Sequence, residues 1–197
     1  MNNDELIDTN YDKDTVLLTH PFQQTDPKII KARDGLLSAG PYRNWGTLTF
    51  QYELSDKHAK QFASDHWRKT QRELLGRNWI SKGIQPLTGL VIMEKAMIFA
   101  RTTREFGSCH FHYLIHDHPA LDRDNNRAAA QLETAFVAAA RTLTHRNRRW
   151  QLVSKHGAVV DPVWDQAGIC GYVAKEAASR NWKWHDRVRF LCQDGAI

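Results

Sequence analysis

The sequence predicts an α+β fold on an antiparallel sheet, with elements in the order β-α-β-β-α-β and an additional helix behind them. Three observations carry this. Stretches of period-two alternation, rich in β-branched and aromatic residues, recur at residues 45–54, 87–99, 107–116 and 150–160. Two long stretches at helical spacing stand between the first and second of these and between the third and fourth. A short polar stretch, Arg-Thr-Thr-Arg-Glu, separates the second from the third and makes them a hairpin.

Residues 1–44 are polar and irregular, with His20-Pro21 and Asp26-Pro27 breaking regular elements and Ala39-Gly40-Pro41 marking a turn. They are expected to form a partly irregular leader, with residues 45–197 as the folded domain. The first strand, with Gly-Thr-Leu-Thr-Phe-Gln-Tyr at its centre, ends at Ser55-Asp56, a good helix N-cap. Ala59, Phe62, Ala63, Trp67, Leu74 and Leu75 then fall on one face of an amphipathic helix over 57–79. After the hairpin, the alanine-rich stretch from Asp122 to about His145 is the strongest helix pattern in the chain. The strand over 150–160 follows, bent at Gly157. A helix-compatible stretch, Gln166 to Arg180, places Tyr172 and Lys175 on one face. The basic, aromatic segment after it forms a short strand or a flap. This order is the split βαβ pattern of a ferredoxin-like sheet.

Composition narrows the class. At 197 residues the chain is most economically one domain, and 42% apolar with 25% charged residues is a globular balance. Lys and Arg outnumber Asp and Glu by 27 to 22, which leans toward a polyanionic partner. Cys109, Cys170 and Cys192 are odd in number and lack CxxC spacing, which argues against a disulfide framework or a structural zinc site and for a reducing compartment. No apolar run has bilayer length, and the start Met-Asn-Asn-Asp-Glu lacks the basic residues of a signal peptide. A cytoplasmic protein with no membrane partner is expected.

The residues that point to chemistry are His110-Phe111-His112 and, sixty residues on, Tyr172 and Lys175. Side chains alternate along a strand, so His110 and His112 project from one face while Phe111 enters the packed one. Two imidazoles are a partial ligand set, and a hard divalent cation wants a carboxylate as well. Glu94 is the best placed: a hairpin centred near Thr102 sets it opposite His110, with Ile92 opposite His112, at a Cβ separation of roughly 4.5–5.5 Å. A slip of one residue turns Glu94 to the other face. His116 is the reserve ligand. A tyrosine beside a cation, together with a metal, points to phosphoryl chemistry.

These residues resemble the motifs of the HUH endonucleases, specifically the single-tyrosine replication initiators that nick single-stranded DNA at rolling-circle origins. An apolar-Thr-x-Thr-Phe strand is matched by Leu48-Thr49-Phe50, His-hydrophobic-His by His110-Phe111-His112, and Tyr-x-x-Lys by Tyr172-Val-Ala-Lys175. Conjugative relaxases carry their tyrosine before the histidine pair, and here it follows. The resemblance spans residues 45–180 and implies a ferredoxin-like or RNA-recognition-like sheet, with Mg²⁺ or Mn²⁺ held by Glu94, His110 and His112. It implies attack by Tyr172 to give a 5′-phosphotyrosyl link and a free 3′-hydroxyl, with Lys175 orienting the phosphate. The substrate so implied is origin DNA, as a single strand or extruded hairpin, expected to be gripped by a basic groove with aromatic platforms; Arg101, Arg104, Lys155, Trp182 and Lys183 are the candidates. No Gly-x-x-x-x-Gly-Lys-Ser/Thr loop occurs, so a host helicase would be recruited along with a polymerase, by an initiator that is itself monomeric. The rival readings are a single-tyrosine transposase, a non-catalytic nucleic-acid-binding module with an RNA-recognition-like sheet, and a His2Glu zinc hydrolase.

Overall fold

The computed structural model describes residues 26–52, 54–95, 109–145, 150–175 and 188–191. The chain runs through α1 (Pro27–Ser38), β1 (Asn44–Phe50), α2 (Asp56–Leu75), β2 (Gly89–Lys95), β3 (Cys109–Ile115), α3 (Asn125–Arg141), the two-residue strands β4 (Thr144–His145) and β5 (Trp150–Gln151), β6 (Val153–Pro162), α4 (Gln166–Ala174) and β7 (Val188–Leu191). Five strands pair antiparallel in the order β6-β1-β3-β2-β7. The fold is thus α+β, and this sheet is compatible with a ferredoxin-like one. No helix among the described residues is long and apolar enough to cross a membrane.

Two cores lie on opposite faces of the sheet. On the first, Leu48 and Phe50 of β1, Met93 of β2 and Phe111 and Tyr113 of β3 pack against Ala63 and Trp67 of α2 and Leu132 and Phe136 of α3. Ser55 and Asp124 cap these helices, their side chains accepting from the backbone N–H of His58 and Arg127. Gly46 lets α3 come close, since a Cβ there would stand 3.2 Å from the Phe136 ring. α2 stops at Leu75 rather than running to residue 79, because Gly76 turns the chain at φ 90° and its N–H closes on the Arg72 carbonyl.

The second core corrects the reading of residues 27–44. The pair Asp26-Pro27 starts a helix instead of breaking one: the Asp26 carboxylate accepts from Lys28 N–H at 2.8 Å, and Pro27 occupies the first turn, where a missing N–H loses no hydrogen bond. Ala32 and Leu36 of this helix, with Tyr42, pack against Cys170, Val173 and Ala174 of α4 and against Leu90, Ile92 and Leu114 of the sheet. α1 therefore clamps the helix that carries Tyr172. The expected strand over 150–160 divides, with β5 pairing β4 and β6 pairing β1. Between Leu48 and Phe50 the β1–β6 register shifts, so residues 154–157 bulge out. Gly157 makes that bulge possible, because a Cβ there would lie 2.6 Å from the Thr49 carbonyl oxygen.

Candidate active site

The hairpin register is the expected one: Glu94 pairs with His110 and Ile92 with His112. On the other side of β3, Thr49 pairs with His110 and Thr47 with His112. Directly opposed residues share a face, so Thr47, Thr49, Glu94, His110 and His112 all project to the side covered by α1 and α4. Alternation along β1 puts Trp45 there too. α4 then brings Tyr172 and Lys175 down onto this group.

The contacts are specific. Thr49 Oγ1 lies 2.9 Å from His110 Nδ1 and Thr47 Oγ1 lies 3.3 Å from His112 Nδ1. His112 Nε2 donates to Glu94 Oε2 at 2.7 Å, and Lys175 Nζ donates to the other carboxylate oxygen at 3.1 Å. The Lys175 ammonium also stands 3.8 Å from the centroid of the Tyr172 ring, within cation–π reach. Trp45 stacks on His112 at 5.9 Å and meets Tyr172 edge-on at 6.1 Å, while His112 and Tyr172 meet edge-on at 5.6 Å. His112 is 4% exposed and Tyr172 41%, so the tyrosine is braced on one flank and open to solvent on the other.

Charge is distributed accordingly. Burial pushes the Glu94 carboxyl up, but the hydrogen bond from His112 and the electrostatic attraction of His112 and Lys175 outweigh it and hold the group at about 2. Burial pushes the His110 imidazole down, with His112 and Lys175 adding to this against the pull of Glu94. For Lys175 burial acts downward, yet Glu94 and Tyr172 more than offset it and the ammonium is favoured. The site thus holds an ionised Glu94–Lys175 pair beside an imidazole that favours its neutral, ligating form.

Among the described residues no three His, Cys, Asp or Glu side chains form, as placed, a group that could hold a metal ion. Glu94 is instead engaged by His112 and Lys175. The chemistry of the donors nonetheless fits a divalent cation. Each Nδ1 is held by a threonine hydroxyl, which leaves each Nε2 as the ligating atom, the arrangement in which an outer partner orients a metal-bound imidazole.

Other residues resolve differently. His116 is no ligand: its Nδ1 is bonded to Thr88 at 3.0 Å, its Nε2 donates to the Ala39 carbonyl at 2.8 Å, and its ring stacks on Tyr42. Tyr42 and Tyr113 donate their hydroxyls to the carbonyls of Leu36 and Ala63, which ties both to packing. Lys155 is exposed in the bulge opposite Thr49. Arg101, Arg104, Trp182 and Lys183 lie outside the described residues. Trp45 and the orienting role of Thr47 and Thr49 escape a reading of the sequence, because they depend on the pairing of β1 with β3, which no local pattern announces. Comparison of the chain with protein-family models, with curated proteins and with solved structures yields no match in any of the three.

Proposed function

We propose that the chain is a single-tyrosine HUH endonuclease that nicks and rejoins single-stranded DNA at a rolling-circle origin, on a ferredoxin-like sheet covered by a helix, α4, that carries the nucleophile. One observation carries the reading: the half-exposed Tyr172 packs edge-on against His112 with the Lys175 ammonium over its ring. An aromatic placed only for packing has no use for an ionised Glu94–Lys175 pair at its flank. Tyr172 Oη attacks the scissile phosphorus in line. The Oη–P bond forms as the P–O3′ bond breaks; the phenol proton goes to solvent, and the departing oxygen takes one up as a free 3′-hydroxyl. Because the phosphotyrosyl ester retains the energy of the broken bond, a later 3′-hydroxyl reverses the step and joins strands.

Glu94, His110 and His112 are the residues that would hold Mn²⁺ or Mg²⁺, and such an ion supplies neutralisation of the charge that develops on the phosphate oxygens. Trp45 keeps the Tyr172 ring facing the histidines, and the Lys175 ammonium over that ring is placed to attract the phosphate anion. Lys155 on the β6 bulge gives the DNA backbone a cation beside the site. Strand opening and synthesis fall to a host helicase and polymerase.

The test is a labelled origin oligonucleotide incubated with Mn²⁺. A covalent protein–DNA adduct is expected, absent in Tyr172→Phe; adduct persisting in that variant overturns the assignment. Binding without any cleavage returns the non-catalytic module, and cleavage that survives Tyr172→Phe returns a water nucleophile on a zinc site. A dimer exchanging tyrosine helices returns the transposase.

A further inference from the structure

Glu94 faces two donors at once. One oxygen accepts from His112 Nε2 at 2.7 Å and the other from Lys175 Nζ at 3.1 Å. A carboxylate has no proton to give, so Nε2 of His112 carries the hydrogen in this contact, and that nitrogen is the one left for a cation once Thr47 has engaged Nδ1. The carboxylate and one imidazole are therefore both engaged within the protein. Lys175 is fixed in this role from behind: Val173 and Ala174 are buried in the second core, which sets the place from which its stem reaches Glu94.

We propose that Lys175 is a positioning residue that holds Glu94 in place of the divalent cation, and that Glu94 passes from Lys175 to the cation when the cation binds. This rests on the metal-dependent reading above. An ammonium and a divalent ion cannot share one half-buried carboxylate without strong repulsion. Linkage then makes the exchange reciprocal: whatever Lys175 adds to the metal-free arrangement is subtracted from the affinity for the ion. Once released, the ammonium remains on α4 beside the Tyr172 ring, with its donors free for a DNA phosphate. Lys175 thus becomes available to the substrate only after the cation is in place, which imposes an order of cation first and DNA second.

Isothermal titration of the full chain with Mn²⁺, in the absence of DNA, tests this. Lys175→Met is expected to bind Mn²⁺ about tenfold more tightly than the parent chain. Lys175→Arg, which keeps a cation for Glu94, is expected to show no tightening. Lys57→Met, which removes the same charge from the exposed start of α2 on the other face of the sheet, is expected to leave the affinity unchanged. Unchanged or weaker binding by Lys175→Met, equal tightening by Lys175→Arg, or equal tightening by Lys57→Met overturns the proposal. Lys175→Gln repeats the measurement should the methionine variant lose its native circular dichroism. Failure of the underlying metal reading looks different: neither the parent chain nor any Lys175 variant would then bind Mn²⁺ with an affinity that His110→Ala abolishes.

Discussion

Thr49 contributes one hydroxyl, 2.9 Å from His110 Nδ1, and that contact decides which nitrogen of the ring faces the site. Removing it in Thr49→Val keeps the β-branched shape that suits a strand but frees the imidazole to rotate and change tautomer. Loss of such an outer partner typically weakens metal affinity by about 10- to 100-fold. Titration with Mn²⁺ should show a weakening of that size in Thr49→Val and near-parental affinity in Thr49→Ser. At this scale the sequence is readable where contacts are local. Glu94 follows from counting back across a single hairpin, and the observed register agrees. Thr47, Thr49 and Trp45 do not follow, because β1 meets β3 only after α2 and β2 have intervened, and nothing in the alternation of either strand names its partner.

Among the elements, α1 and α4 together determine where the tyrosine sits. Leu36 is fully buried between them and the sheet, and Leu36→Ala should cost about 2–5 kcal/mol in urea unfolding. Leu132→Ala, equally buried in the first core, should cost a similar amount. The two should separate in function: adduct formation at equal folded fraction should fall in Leu36→Ala and hold in Leu132→Ala, as read by gel shift after denaturation. α1 is hidden from pattern reading by its Asp-Pro start, which breaks a helix interior yet caps a helix beginning. The long helices α2 and α3 are legible because they bury a broad stripe on one face, although the glycine that ends α2 is easily passed over.

Taken as a whole, the molecule should show an acid limb to which the fully buried His66 contributes. Burial lowers His66 to about 4, with Lys69 adding to that effect and the hydrogen bond to the Phe136 carbonyl opposing it. Its Nδ1 has no hydrogen-bond partner among the described residues, so a second ring proton would be buried unsatisfied. A folded-state value below the unfolded one means that the unfolded chain binds the proton first. The stability contributed by neutral His66 is complete above pH 6.5 and drains away as the pH falls toward about 4. The full loss is roughly 3 kcal/mol. Urea midpoints across that window should fall in the parent chain and fall less in His66→Gln, which keeps a donor for Phe136 and leaves the lowered His110 as a source of the remaining slope. Below about pH 4.5 a second decline belongs to Glu94, whose carboxylate is held at about 2 and whose contribution is lost as that group is protonated.

The clamp of α1 on α4 also carries a temporal meaning. Its two halves come from residues 27–38 and 166–174, nearly opposite ends of the described chain, whereas the α2 and α3 core draws on the segments between them, with Leu191 of β7 added. Closing so long a loop is slow and is rewarded only when both ends exist. A ribosome-bound chain can therefore bury most of its first core while α1 still waits for a partner. Tyr172 reaches its place only once α4 has been made, so a chain truncated before residue 166 should form no covalent adduct with DNA.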